Sequence, residues 1–387
     1  MIPYGRQTLD NIDKQAVLDV LDSDYLTQGP VVPSFEKDLS SRVGAGYAVA
    51  MTSATAALHT ACMAMDIGEG DIVWTSAISF VASANCAVYC GASVDFVDVD
   101  ANTGNMSISA LERKLESAKL REALPKVLIP VHFAGQPVNM EAISELGKLY
   151  NFRIIEDASH ALGASYSGEL VGSCRYSDIT VFSFHPVKMI TTAEGGAATT
   201  NDKQIAARLA KLRSHGITRD QAEMESYEGD WSYDQVELGF NYRMTDVFAA
   251  LGKSQLTKLK AFIATRSDIA SFYAKSLDSN RFQPLEQDLN AISSWHLFVV
   301  LVRDAEERKA TFDHLRANGI LVNVHYRPIY RQSFYAKLKR YDPADFPGAE
   351  KYYASALSLP IYPTLSDKEL SQVVRVLSSK PGYQVLF

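Results

Sequence analysis

Short apolar runs alternate with amphipathic stretches over residues 48–216, and this alternation restricts the fold more than any other feature. Within each run the residues do not alternate between apolar and polar, which is typical of strands covered on both faces of a sheet. Strands that alternate with helices predict an α/β fold with a mostly parallel central sheet. The runs are AVAMTS, DIVWTS, SVDFVDVD, KVLIPVHF, RIIEDAS, DITVFSFH and GGAATTND.

The pattern changes after Met244. Thr245 is placed to cap a helix that continues to about Leu277, and a helix of that length often connects two lobes. Strands at WHLFVVLVR and LVNVHY, with helices between and after them, predict a smaller α+β domain. The predicted segments are an N-terminal helix and loop at 1–30 that pack on the small domain, a large domain at 31–245, and the connecting helix with the C-terminal domain at 246–387.

Charge and cysteine content exclude several classes of protein. The net charge of -7 lacks the basic footprint that a nucleic-acid partner requires. The cysteines, Cys62, Cys86, Cys90 and Cys174, form no C-x-x-C pair and no zinc spacing, so no metal is expected and small buried thiols are the simpler interpretation. No signal peptide or run of about 20 apolar residues is visible. We therefore expect a cytoplasmic protein without a membrane partner.

The stretch RIIEDASHALG places two acids at the end of an apolar strand. Ligands of open α/β sheets bind beyond the carboxyl ends of the strands, so Asp157 is placed to face one. An aspartate at a strand end is also a common helix cap. Both interpretations of Asp157 stay open from these residues alone.

The stretch DITVFSFHPVKMITTAEGGA leads from a strand through Ser183 to Lys188 and on to a second strand. Burial in a short loop between strands lowers the pKa of a lysine and favours the free amine that forms an imine. A solvated loop lysine is the alternative. The combination with Asp157 favours the first interpretation, because the two strand ends can converge on one cofactor.

Pyridoxal phosphate (PLP) requires an amine, a carboxylate for its ring nitrogen, donors for its phosphate and a surface for its ring. Lys188 and Asp157 offer the first two. Ala54 and Thr55 begin a helix after an apolar strand, where backbone N–H groups suit a phosphate, although such a hydroxyl residue is also a common cap. Phe80 offers an aromatic surface or is a core side chain.

Six motifs together resemble the DegT/DnrJ/StrS family of sugar aminotransferases. They follow the family order over essentially the whole chain and are specific as a set. The resemblance implies the type I fold of PLP-dependent aminotransferases, PLP as the cofactor, and amino transfer to a nucleotide-linked keto-sugar. The motifs are SATAALH, SFVASAN, EDASHALGASY, FSFHPVKMITTAEGGA, LRSHG and LGFNYRMTDVFAALG.

For individual residues the resemblance implies a complete cofactor site. Lys188 would hold PLP as a Schiff base and shuttle the proton, and Asp157 would pair with the pyridinium nitrogen. His160 is similar to the residue beside the ring hydroxyl. The other implied contacts are Ala54, Thr55 and Ser183 at the phosphate, Phe80 on the ring, and Asn241 from the neighbouring subunit of a homodimer with shared active sites.

Three stretches correspond to substrate-contacting parts of the family. They comprise Tyr4, Asp24, Tyr25, Leu26, Thr27, His325, Tyr326, Arg327, Pro328, Ile329 and Tyr330. Arg213, His215 and Arg243 are further candidates to offset the charge of a diphosphate, although single charges of this kind are more often surface or helix-end groups.

The motifs DYLTQG, WHLF and VHYRPIY are most similar to family members of the pseudaminic acid pathway. That resemblance implies amino transfer from L-glutamate to C4 of a UDP-linked 4-keto-6-deoxy-N-acetyl-L-hexosamine.

The chain has SAT where many members have SGT, and Ala56 where close relatives can have serine, so a hydroxyl contact is lost there. Relatives with histidine in place of Lys188 are sugar dehydratases, so the lysine favours amino transfer.

Two alternatives remain open from the sequence. One is an aminotransferase of the same family that acts on another nucleotide keto-sugar or ring position, because a fold and a cofactor site do not fix the acceptor. The other is a non-catalytic regulatory protein that reuses the fold. The presence of Asp157, Ser183 and Lys188 together argues against the second.

Overall fold

The computed structural model describes residues 1–338 and 341–379, and it confirms the predicted α/β fold. The helices are α1 (Asn11–Leu21), α2 (Val31–Val43), α3 (Ala54–Ala64), α4 (Ala82–Tyr89), α5 (Ile108–Lys119), α6 (Met140–Tyr150), α7 (Lys203–Leu212), α8 (Asp246–Ser276), α9 (Glu307–Ala317), α10 (Ser333–Leu338), α11 (Pro347–Ser355) and α12 (Asp367–Ser378). The strands are β1 (Ile2–Pro3), β2 (Tyr47–Met51), β3 (Ile72–Ser76), β4 (Ser93–Val97), β5 (Val127–Ile129), β6 (Arg153–Asp157), β7 (Ser165–Tyr166), β8 (Glu169–Leu170), β9 (Ile179–Ser183), β10 (Gly196–Thr200), β11 (Ile217–Thr218), β12 (Asp234–Gln235), β13 (Phe282–Pro284), β14 (Ala291–Ile292), β15 (Phe298–Val302), β16 (Ile320–Leu321) and β17 (Ala356–Leu359).

The seven apolar runs of the sequence form one seven-stranded sheet in the order β2-β10-β9-β6-β5-β3-β4. All neighbours pair in parallel except β10, which runs antiparallel to both β2 and β9. One face packs against α3, α4 and α7, and the other packs against α2 and α8. Coverage on both faces explains why these strands are uniformly apolar.

The carboxyl ends of β2, β3, β6 and β9 lie at the same edge of the sheet, because these strands all run in one direction. The amino end of the antiparallel strand β10 lies at this edge as well. Loops that are far apart in sequence therefore meet there. This edge is where ligands of open α/β sheets bind.

The long connecting helix predicted after Met244 is confirmed. Helix α8 is continuous over 31 residues, and its N-cap Thr245 accepts a hydrogen bond from the backbone N–H of Phe248. At 1.5 Å per residue it is about 46 Å long. It packs on α2 near its beginning, and Tyr273 near its end belongs to the core of the small domain. Within residues 1–338 and 341–379, no helix combines the length and apolar content needed to cross a bilayer.

The N-terminal segment contacts the small domain and the connecting helix. Strand β1 pairs in parallel with β16. Helix α1 packs on α8, where the buried carboxylate of Asp13 accepts hydrogen bonds from Ser254 (2.6 Å) and Gln255 (2.8 Å). The bounds of the three predicted segments stay a prediction, and residues 380–387 of the last one lie outside the described residues.

The small domain contains the antiparallel sheet β13-β15-β17, covered by α9 and α12 together with the end of α8. The predicted strand WHLFVVLVR forms β15. The predicted strand LVNVHY is mostly wrong, since only its first residue, Leu321, belongs to β16. The chain then leaves the ladder, and Asn323 makes an isolated bridge to Ser358. Residues 323–326 line a cavity together with residues of the large domain.

All four cysteines are free thiols. Cys62 on α3 contacts the thiols of Cys86 and Cys90 at the end of α4. Cys86 and Cys174 are buried, which agrees with small thiols in the core, whereas Cys90 is partly exposed. Burial raises the pKa of Cys174 to about 11, so this thiol stays protonated at neutral pH.

Candidate active site

A cavity of about 460 Å³ lies at the carboxyl edge of the central sheet. Side chains of the large domain form most of its wall, and Tyr4 with the loop after β16 forms the rest. Seven of the eight residues predicted to contact the cofactor line this one cavity. They are Ala54, Thr55, Phe80, Asp157, His160, Ser183 and Lys188.

Asp157 ends strand β6 and is buried. One carboxylate oxygen accepts a hydrogen bond from the Ser83 hydroxyl at 2.6 Å, and the other accepts one from the Ser159 N–H at 3.0 Å. The neighbouring acid points to the opposite side of the sheet, because side chains alternate along a strand. There Glu156 pairs with His132 at 2.6 Å. Of the two acids in the motif, only Asp157 is available to a ligand in the cavity.

Lys188 lies in the loop between β9 and β10 and lines the same cavity. Burial lowers the pKa of its ammonium group to about 8, against the smaller opposing effect of the negative charge on Asp157. The amine is therefore partly unprotonated near neutral pH, as the sequence predicts for a lysine that forms imines.

The N-terminus of α3 forms a cradle for an anion. Ser53 is the N-cap, and its hydroxyl accepts the Ala56 N–H at 3.1 Å, so its capping role is filled. The N–H groups of Ala54 and Thr55 belong to the first turn, where they have no intrahelical acceptor. Gly196 lies against this turn, since an added Cβ there would stand 2.3 Å from the Ala54 nitrogen. Only a residue without a side chain allows β10 to approach the cradle this closely.

His160 is buried at the floor of the cavity. Its Nε2 atom lies 3.2 Å from the Tyr326 hydroxyl, whereas its Nδ1 atom has no hydrogen-bond partner among the described residues. Burial and then the positive charge of Lys188 lower the pKa of His160 well below its usual value, so its ring is neutral. A buried ring nitrogen without a partner is a suitable contact for a polar atom of a ligand.

The facing wall consists of Tyr4 from the N-terminal segment and of Asn323, His325 and Tyr326 from the small domain. The rings of Tyr4 and His325 lie 5.0 Å apart, and His325 Nδ1 is 2.8 Å from the Ser358 hydroxyl. Burial, assisted by Lys188, lowers the pKa of His325 to about 3. This wall therefore carries neutral polar groups that can contact sugar hydroxyls.

Several predicted substrate residues do not line the cavity. Ile329 and Tyr330 are buried in the core, where the Tyr330 hydroxyl donates to Glu350 at 2.5 Å, and their contact with a substrate stays a prediction. Arg327 is exposed and Pro328 is buried, both outside the cavity wall. The residues Asp24, Tyr25, Leu26 and Thr27 are exposed and also lie outside it.

The basic candidates and Asn241 lie outside this wall as well. Arg213 pairs with Glu36 and donates to the Ala50 carbonyl at 2.6 Å, so its charge is already balanced. His215 and Arg243 are not part of the cavity wall. Asn241 is exposed on the chain surface, where its backbone bridges Ser214.

The structure adds residues that the sequence interpretation missed. Ser79, Ser159, His185, Glu194 and Asn323 line the cavity. In the motif SFVAS, Ser79 and Ser83 are four residues apart, which is one helical turn. This spacing could have predicted that the two serines lie close together. Asn323 had no sequence signal, because its position depends on the loop that follows β16.

Comparison with known proteins decides the family. The sequence profile of the DegT/DnrJ/EryC1/StrS aminotransferases matches residues 7–378. The chain belongs to this family. A UDP-4-amino-4,6-dideoxy-N-acetyl-beta-L-altrosamine transaminase of Campylobacter jejuni is 39% identical over 392 residues, which cover 99% of this chain and 100% of that protein. The spore coat polysaccharide biosynthesis protein SpsC of Bacillus subtilis is 35% identical, over 97% of this chain and 96% of that protein.

Solved structures of family members have the same fold. Helicobacter pylori PseC, an aminotransferase involved in the biosynthesis of pseudoaminic acid, superposes with a TM-score of 0.89 at 33% identity, over 97% of this chain and 98% of that one. The PLP form of a putative sugar aminotransferase from Streptococcus pneumoniae gives a TM-score of 0.87 at 30% identity, over 97% of each chain.

The chain is therefore a PLP-dependent nucleotide-sugar aminotransferase. The residues of its cavity fit the cofactor. A lysine with a lowered pKa, a buried carboxylate, a helix N-terminus and an unpartnered histidine nitrogen together match the aldehyde, ring nitrogen, phosphate and ring hydroxyl of PLP.

We expect Gly196→Ala to weaken PLP binding at least about tenfold, because the new methyl group would collide with the Ser53–Ala54 peptide of the cradle. A fluorescence titration of the cofactor-free protein measures the dissociation constant. Gly68→Ala is the matched control, since an added Cβ at Gly68 meets no atom within 4 Å. Equal PLP affinity of the Gly196→Ala and wild-type proteins would show that the close approach is unimportant.

Proposed function

We propose that the chain transfers the amino group of L-glutamate to C4 of a UDP-linked 4-keto-6-deoxy-N-acetyl-L-hexosamine. The product is UDP-4-amino-4,6-dideoxy-N-acetyl-β-L-altrosamine. The observation that carries this proposal is the identity of 39% to a transaminase named for that sugar, over 99% of the chain. The match to PseC, at 97% coverage of this chain, supports it independently.

In this proposal Lys188 and Asp157 perform the proton chemistry. Lys188 would hold the cofactor through its unprotonated amine, and the same amine would be the base that accepts a proton from the substrate's α-carbon. When bound, PLP supplies an electron sink for the carbanion formed at that carbon. Asp157 holds the positive charge on the ring nitrogen through its buried carboxylate. The same residues act in reverse on the keto-sugar.

The other residues of the wall position the ligands. Ala54 and Thr55 bind the phosphate through the first-turn N–H groups of α3, with Ser183 beside them. Phe80 covers one face of the ring. His160 contacts the ring hydroxyl through its free nitrogen. Tyr4, His325 and Tyr326 form the wall that faces the sugar.

We also propose a homodimer with shared active sites. Among the residues that line the cavity in the described ranges, Lys188 is the only lysine or arginine. A nucleotide diphosphate and a phosphate carry several negative charges, which one partly neutral amine does not balance. Phe80 is 58% exposed, and Trp231 and Leu238 are each 74% exposed in the segment that leads to Asn241. A second chain that covers these apolar side chains can supply the missing polar and cationic contacts.

Lys188→Ala is expected to abolish turnover and the covalent attachment of PLP. In the wild-type apoprotein, attachment should rise with pH and reach its half-maximal rate near pH 8, because only the unprotonated amine reacts and burial lowers its pKa to about 8. Borohydride reduction followed by peptide mapping at each pH measures the attachment.

The control for this experiment is Lys148→Ala, which removes an exposed lysine of α6 and should change neither quantity. Covalent labelling of a lysine other than Lys188 contradicts the assignment. A half-maximal rate near pH 10.5, the ordinary lysine value, contradicts the effect of burial.

The acceptor is tested with a panel of nucleotide keto-sugars in coupled assays with L-glutamate. We expect the product of a 5-inverting UDP-GlcNAc 4,6-dehydratase to react with a kcat/KM at least about 100-fold above that of the non-inverted isomer, since a site contacting several sugar groups rejects an epimer that leaves polar groups unpaired. Preference for the non-inverted sugar, or for a TDP- or GDP-sugar, refutes this acceptor and leaves the aminotransferase activity intact.

Shared active sites are tested by mixing two inactive variants. Lys188→Ala and Asn241→Ala subunits, unfolded and refolded together, should recover about a quarter of wild-type activity, because half of the random dimers contain one intact site of two. Asn241→Ala alone should bind PLP weakly. Failure of the mixture to regain any activity, with mixed dimers verified by native mass spectrometry, indicates that Asn241 does not act across an interface.

A further inference from the structure

Two buried serines connect the wall of the cavity to Asp157. Ser79 lines the cavity and is 3% exposed, and Ser83, one helical turn later, is completely buried. Their hydroxyl oxygens lie 2.7 Å apart. The Ser83 hydroxyl lies 2.6 Å from the Asp157 carboxylate. The three side chains therefore form one continuous hydrogen-bonded row.

The direction of the protons in this row follows from the acceptors. A carboxylate can only accept, so the single proton of Ser83 is donated to Asp157 in a short, charge-assisted bond. The Phe80 carbonyl, at 3.3 Å from the same hydroxyl, is the weaker acceptor. Since the Ser83 proton is already used, the bond between the two serines must be donated by Ser79. The row is thus polarised from Ser79 through Ser83 towards Asp157.

The second carboxylate oxygen of Asp157 is held by the Ser159 N–H at 3.0 Å. Both oxygens of Asp157 therefore accept hydrogen bonds from the protein, and neither donor is a charged side chain. In a buried site a bond of this kind stabilises the ionised carboxylate over the protonated acid. Without the Ser83 hydroxyl, the Oδ2 atom of Asp157 would lose this donor, and the negative charge of the carboxylate would be less stable.

We propose that Ser83, supported by Ser79, is a positioning residue that keeps the negative charge on Asp157 and thereby keeps the proton on the ring nitrogen of bound PLP. The inference rests on the proposed pairing of Asp157 with that nitrogen. In that pairing, the ring nitrogen and the Asp157 carboxylate would share one proton. Donors to the carboxylate shift this proton to the nitrogen, where it increases the capacity of the ring to accept electrons.

The test measures the ring nitrogen directly. Holoenzymes are prepared with PLP labelled with ¹⁵N in the ring, and the ¹⁵N chemical shift is followed as a function of pH. We expect the wild-type nitrogen to be protonated at pH 8, Ser83→Ala to shift the signal towards the unprotonated position, and Ser83→Cys, with its weak S–H donor, to lie between them.

Matched variants separate this effect from a loss of structure. Ser76→Ala removes another buried hydroxyl, one without a hydrogen-bond partner among the described residues, and it should leave the ¹⁵N signal unchanged. If Ser83→Ala does not fold, Ser79→Ala tests the same row one bond further away and should give a smaller shift in the same direction.

A further variant separates the proposed role of Asp157 from the proposed role of the two serines. Asp157→Asn should leave the ring nitrogen unprotonated, and a nitrogen that stays protonated in that variant overturns the proposed role of Asp157 itself. A normal response to Asp157→Asn, together with Ser83 and Ser79 variants whose ¹⁵N signals match the wild type, overturns only the role of the serines.

Discussion

A buried carboxylate is the constraint on which the active-site edge depends. Asp157 lies at the end of a central strand, and in that position its charge is stable only if the surrounding elements supply donors. Helix α4 supplies a hydroxyl and the turn after β6 supplies an N–H. The hydroxyl comes from Ser83 in the first turn of α4, and Phe80, just before this helix, lines the cavity. Lys188 completes the site, because burial lowers the pKa of its ammonium group to about 8 and so makes part of the amine available in the neutral form.

The two lobes have different physical roles in the cavity. The large domain provides backbone N–H groups and buried charges, which recognise a cofactor with fixed chemistry. The small domain and the N-terminal segment packed on it provide Tyr4, Asn323, His325 and Tyr326, which are uncharged at neutral pH or held neutral by burial. Such groups discriminate by shape and hydrogen bonding rather than by charge. Differences in acceptor sugar within the family are therefore expected to arise mainly from this second wall.

Much of the fold was predictable, because strands buried on both faces leave an unmistakable apolar pattern. All seven sheet strands were predictable from this pattern, and helix α8 with its cap Thr245 was predictable from the helical stretch that follows Met244. Seven of the predicted cofactor residues line one cavity, and each of these seven lies at or shortly after the end of a sheet strand. The sequence did not separate Ile329 and Tyr330 from the cavity wall, because the motif contains both residues of the wall and residues of the core behind it. No local pattern distinguishes them, since the difference arises where the chain turns away from the cavity after Tyr326.

The pairing of β1 with β16 has a consequence for the synthesis of the protein. Ile2 lies opposite Ile320, and Tyr4 follows directly, so one wall of the cavity joins the N-terminal segment to a loop far along the chain. Contacts of such large sequence separation form late, after the intervening elements have folded. Until the segment around Ile320 has been synthesised, β1 lacks its strand partner. The cavity wall that contains Tyr4 and the loop after β16 is therefore complete only when most of the polypeptide exists.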